Sequence, residues 1–154
     1  MRRVDVSQNV QRLSQVRYLK GEVELLSALI GEMESVGPTL ARGASAEGIE
    51  ARWRSMIDAL DARRWRCMEL LGALYAFIDD VADSRVRQVL TLRYIYGECW
   101  QKVARHIGEA DEQYPRRLHN RFLAGVSVPG LEDVDGAEAR RRWQARAGAR
   151  EGVK

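Results

Sequence analysis

Apolar residues recur along this chain at alternating spacings of three and four, the period of helices that bury one face. The alternating pattern of a half-buried strand is absent throughout, so an all-α fold is expected. In the N-terminal part Val16, Leu19, Val23, Leu26, Ile30 and Met33 form one such stripe. Written as heptads, Val16, Val23 and Ile30 take position a, and Leu19, Leu26 and Met33 take position d. β-Branched residues at a with leucine at d favour two strands in parallel coiled coils. The seam is roughly 27 Å long at the helical rise, short for an independent dimer. Glycine, one proline and small residues then predict a loop over 36–48.

A second long helix is expected from about Ile49 to Val81. Its apolar side carries Trp53, Met56, Leu60, Cys67, Leu70, Leu74, Phe77 and Val81, with Arg63 as the one polar interruption. Two stripes of this kind either close on each other as an antiparallel hairpin or associate between copies. Both arrangements stay open, as does a hairpin that also forms a homodimer.

From Asp83 to Leu123 the pattern breaks into shorter helices. Asp83 or Ser84 caps the first, which carries Val86, Val89, Leu90 and Tyr94 and ends at Gly97. The second spans about Trp100 to Ile107 and buries Val103, Ala104 and Ile107, with Ala104 small where two helices cross. Gly108 makes a sharp turn. In the third, Tyr114, Leu118 and Phe122 lie at i, i+4 and i+8 and are expected to face inward. Pro115 belongs in a first turn, so this helix should start near Tyr114. Its remaining face holds Arg116, Arg117, His119, Asn120 and Arg121, with no acid from Arg116 to Leu123. Any three-helix bundle shows the stripes, but ordinary surface helices interleave acids with bases. The acid-free basic face therefore points to a DNA-binding helix-turn-helix.

Those residues set the site expectations. Gln113, Arg116, His119 and Asn120 are the candidates for base edges, since arginine reads guanine and asparagine reads adenine. Gln101, Lys102, Arg105 and Arg121 are the candidates for phosphates. Arg117 lies beside the inward stripe and is expected to pair with the acidic turn formed by Glu109, Asp111 and Glu112.

Charge and composition narrow the class. The net charge is only +3 and the pI near 9.1, so the distribution matters more than the total. Arg140, Arg141, Arg142, Arg146, Arg150 and Lys154 outnumber Glu138 and Glu151 after position 137, which suggests a basic, flexible tail over 125–154, with a short helix that docks or binds around Trp143 as the alternative. Cys67 and Cys99 lack metal or disulfide spacing. Asp79, Asp80 and Asp83 read as helix ends, not metal ligands. No apolar leader or spanning segment is seen, so a cytoplasmic protein without membrane contact is expected. No serine–histidine–aspartate set, phosphate-cradling glycine loop or paired carboxylates stand out, so neither catalysis nor a cofactor is expected.

The stretch RQVLTLRYIYG followed by CWQKVARHIG resembles region 4 of sigma-70-type factors, where a helix of this kind precedes a helix-turn-helix. RRLHNRF falls where those proteins end their recognition helix. Within that superfamily the chain resembles phage and prophage late-gene regulators of the ArpU type over roughly Arg66 to Leu123. The resemblance implies a coiled-coil or helical hairpin over 1–65, a helix-turn-helix domain over 66–124, and a sequence-specific regulator of late genes. It implies double-stranded DNA as partner and RNA polymerase as a further one. No promoter-melting aromatic segment is present, so an accessory factor is expected. The alternatives are a phage genome-packaging DNA-recognition subunit and a coiled-coil adaptor without DNA binding.

Overall fold

The structure is a computed structural model that describes residues 5–41 and 46–152, and every regular element among them is helical. Helices α1 (Val6–Ala41) and α2 (Ala46–Asp79) are long. Helix α3 (Ser84–Leu90) runs on into a wider π turn, Thr91–Ile95, followed by α4 (Trp100–His106) and α5 (Gln113–Leu123). A 3₁₀ turn, Leu131–Asp133, leads into α6 (Gly136–Glu151). None of the described helices is long and apolar enough to cross a membrane.

The chain divides into two compact units, Met1–Leu19 with Leu70–Gly130, and Lys20–Glu69 with Leu131–Lys154. Helices α1 and α2 each supply residues to both. The division therefore does not follow segments 1–65, 66–124 and 125–154.

In the unit Lys20–Glu69 with Leu131–Lys154, Leu26, Ile30 and Met33 are buried and Val23 is half-buried. This part of the heptad seam is thus buried within a single chain. Trp53 Nε1 donates to the Met33 carbonyl at 2.7 Å, and Arg64 lies 3.5 Å from Ser27 Oγ, which fixes an antiparallel pair. The expected loop over 36–48 is mostly helix: α1 continues through Gly37 and Pro38, α2 begins at Ala46, and residues 42–45 lie outside the described residues. Contact with α2 holds this last turn, because a Cβ on Gly37 would come within 2.5 Å of the Trp53 indole nitrogen. Met56, expected inward, is 56 % exposed, while Ile57 is half-buried. Trp53, Leu60 and Cys67, seven apart, are half-buried or buried, and Met56 lies just outside the face they share.

The basic C-terminal segment is not an unstructured arm. Asp135 caps α6 by accepting from Ala137 N and Glu138 N. Gly136 meets the Ala62 carbonyl so closely that an added Cβ would overlap it. Arg140 pairs with the buried Asp61 at 3.2 Å, and Arg142 with Glu69 at 3.3 Å. Trp143 lies tilted against Trp65 at 6.2 Å between centroids and donates to Glu69 at 3.2 Å. Acids of α2 thus neutralise part of the tail's charge. Cys67 is buried here, and burial, helped by Glu22, pushes its thiol up to about 11. It stays protonated and unreactive at neutral pH.

In the unit Met1–Leu19 with Leu70–Gly130, Leu13, Val16 and Leu19 of α1 and Leu70, Leu74 and Ile78 of α2 are buried. Val86, Val89, Leu90, Tyr94, Val103, Ala104 and Leu123 join the same core. Ile78 takes the buried place expected for Phe77, which is half-buried against Phe122 at 6.2 Å. One buried polar side chain ties the N-terminal turns of α1 to the end of α5. Asn9 Nδ2 donates to the carbonyls of Leu123 and Val126, both at 2.8 Å, and its Oδ1 accepts from Val128 N at 3.2 Å. Arg12 adds a bond to the Val128 carbonyl at 2.6 Å.

Asn9→Ala leaves two carbonyls and one amide N–H of that segment without their partner. We expect a loss of about 2–4 kcal/mol, read as a lower denaturation midpoint in urea. A loss under about 0.5 kcal/mol would show that the segment is held by apolar burial alone.

Candidate nucleic-acid interface

The surface in question is built by α3, α4 and α5, and its geometry begins at Asp83. This residue caps α3, accepting from Arg85 N at 2.8 Å and Val86 N at 3.4 Å. Those N–H groups, Arg85 first, hold its carboxyl below the usual carboxylate range. After the π turn, Gly97 adopts φ +68 and Gly108 adopts φ +82, left-handed values that only glycine tolerates cheaply. At Gly108 the bonds Gly108 N to Arg105 O and Glu109 N to Ala104 O close α4 with a Schellman turn. Asp111 Oδ1 accepts from Gln113 N at 2.9 Å, and α5 starts there. Pro115 accordingly sits in the first turn, buried, where its missing N–H costs nothing.

The inward face of α5 differs from the expected one. Pro115, His119 and Leu123 are buried, whereas Tyr114, Leu118 and Phe122 are half-buried flanks. One position on a helix is a turn of roughly 100°. His119 is therefore corrected from a base reader to a core residue, 3 % exposed. Its ring lies edge-on to Trp100 at 5.0 Å and stacks on Tyr94 at 5.7 Å between centroids. Nε2 meets the Tyr94 hydroxyl, and Nδ1 lies 2.8 Å from Asn120 Oδ1. The amide oxygen can only accept, so Nδ1 carries the proton and Nε2 accepts from Tyr94. The imidazole satisfies both its polar atoms while filling an aromatic slot, which apolar periodicity does not register.

The same rotation exchanges the two arginines. Arg116 pairs with Glu112 at 3.3 Å and lies 5.6 Å from the Trp100 ring, which also carries Arg93 at 4.8 Å. Arg117, expected to pair with the acidic turn, is exposed and has no carboxylate partner among the described residues. Gln113, Asn120 and Arg121 are exposed on the same helix. Gln101, Lys102 and Arg105 are exposed on α4, with Lys102 bridged to Glu98 at 3.6 Å.

Sequence reasoning missed Arg93 and Tyr94 as a polar partner, whereas Trp100, at the start of the second helix, reads from the sequence as a packing anchor and packs against His119. Arg93 Nη1 is tied to the Glu98 carbonyl at 3.0 Å. Together with Arg116, Trp100, His119 and Asn120 it borders a cleft of about 250 Å³. Among the described residues no carboxylate lines that cleft. The described residues hold no cluster of histidine, cysteine or acid side chains that could hold a metal ion.

Comparison with protein-family models, with curated proteins and with solved structures returned no match.

Burial, more than the nearby Arg93 charge, holds the His119 imidazole below its ordinary value of 6.5, against the opposing bond to Asn120. The unfolded chain then binds a proton near pH 6.5 that the folded one refuses. Stability contributed by the neutral ring is complete above that pH and falls as the pH drops towards the folded value, by at most about 1.4 kcal/mol per unit. Urea midpoints of the wild type between pH 7 and pH 5 should show this slope. The variant His119→Phe paired with Tyr94→Phe, which removes both polar partners, should flatten it; an unchanged slope would assign the titration to other groups.

Proposed function

We propose that the protein is a sequence-specific DNA-binding regulator in which α5 enters the major groove, braced by α3 and α4. The observation that carries this reading is the outward strip of α5. Gln113, Arg117, Asn120 and Arg121 are exposed along it, and Arg117 and Arg121 have no carboxylate partner among the described residues. A solvated helix face of ordinary purpose pairs its bases with acids three or four residues away. This strip does not.

The rotation of α5 revises the division of labour. Arg117 and Asn120 face out and are the base readers, joined by Gln113 near the helix start, where recognition helices meet base edges. Arg116, drawn back towards Trp100 and Glu112, borders the strip. Arg121, with Gln101, Lys102 and Arg105 on α4, contacts phosphates and sets the register. The resemblance of 66–123 to sigma region 4 and to ArpU-type late-gene regulators agrees with this reading. It suggests phage late genes as the target and RNA polymerase as a partner.

Selection of bound duplexes from a random pool, at stated salt, tests the proposal. Wild type should return a defined motif. Arg117→Ala should relax one base position, at a cost of about 1–3 kcal/mol on the selected site, and leave random duplex nearly unaffected. Lys102→Ala should weaken all sequences alike and lower the salt slope by about one. Binding that is absent at low salt, or flat as salt rises, would sink the regulator.

A further inference from the structure

We propose that His119 is a positioning residue that decides what Asn120 presents to a base, an inference that rests on α5 being the base-reading helix. Asn120 Oδ1 can only accept and faces His119 Nδ1, which leaves Nε2 as the acceptor for the buried Tyr94 hydroxyl. The proton is thereby confined to Nδ1, which donates to Asn120 Oδ1 at 2.8 Å. Asn120 itself is exposed.

An asparagine amide is nearly symmetric in shape, and only its hydrogen bonds decide which end is oxygen and which is NH₂. The relay from Tyr94 through His119 anchors the oxygen. Among the described residues no carboxylate lines the cleft beside it, where Arg93 and Arg116 are the charged neighbours, so no acid among them competes there for the NH₂. Anchored in this way, Asn120 offers a donor at a fixed place. A donor at that place accepts a base that presents a carbonyl there, guanine O6 or thymine O4. It rejects one that presents an amino group, adenine N6 or cytosine N4. Released, the amide turns over and its oxygen accepts from those amino groups equally well. Discrimination between acceptor-bearing and amino-bearing bases at one position is therefore set by a residue that never touches DNA.

The test uses the full chain, selection from randomised duplexes, and affinity for a fixed random-sequence duplex at the same salt. His119→Asn keeps an NH₂ donor where the imidazole has Nδ1. His119→Gln places its amide where Nε2 lies, towards Tyr94. In wild type, one position should favour acceptor-bearing bases, and Asn120→Ala should reduce that preference roughly tenfold, the worth of one good hydrogen bond. His119→Gln should reduce it at the same position by a similar factor, and His119→Asn should retain it. All variants should keep wild-type affinity for the random duplex, which a generally disturbed α5 would not. Equal preference in the Asn and Gln variants overturns the positioning role while the regulator reading stands. A wild type that selects no sequence overturns both. Should either histidine variant lose its helical circular dichroism, Tyr94→Phe frees the tautomer without emptying the slot. It is expected to relax the same position, and an unchanged preference there overturns the relay.

Discussion

The burial of His119 between Tyr94 and Trp100 is the constraint on which the exposed surface of α5 depends. A helix presents its side chains in fixed angular order, so seating one residue inside decides where every other one points. With His119 inward, Pro115 and Leu123 follow it into the core, and Arg117 and Arg121 are left on the outside. Had Leu118 taken that slot instead, the strip would be turned by roughly 100° and Arg116 would stand at its centre. The choice is made by hydrogen bonds as much as by apolar area. His119 brings two polar atoms into the interior, and each finds a partner of the right kind. Leaving either unmet would cost about as much as burying the ring gains.

Other polar contacts do comparable work along the chain. The side chain of Asn9 makes three bonds to backbone groups, one at the end of α5 and two beyond it, and so fixes a segment that has no regular structure of its own. Asp61 and Glu69 draw in Arg140 and Arg142, which turns a basic tail into a docked helix. These pairs are partly exposed, so each adds modest stability on its own. Their larger effect is on charge. They cancel positive residues on α6, whereas Arg117 and Arg121 on α5 keep theirs.

The long stripes were legible because they report burial directly. Leu19, Leu26, Ile30 and Met33, and on α2 Cys67, Leu70 and Leu74, are buried as the period requires. The punctuation was legible too: the Asp83 cap, and Gly97 and Gly108 at positive φ, are local features that need no partner. Less legible was anything depending on which of two adjacent faces wins. Met56 against Ile57, Phe77 against Ile78, and the whole of α5 each turned on a single helical position. Gly37 and Pro38 read as a loop, yet the contact with Trp53 keeps them helical.

By itself, then, the sequence determined an all-helical chain, the order of its first five helices, the breaks at Asp83, Gly97 and Gly108 and the concentration of bases on the last segment before position 124. These follow from interactions within a few residues, where spacing and side-chain type suffice. The rotation of α5, the inward seat of His119, the Asn9 clamp and the docking of α6 were decided only by the tertiary structure. Each pairs groups far apart in the chain, and a polar side chain reveals whether it belongs inside only when its partner is in place.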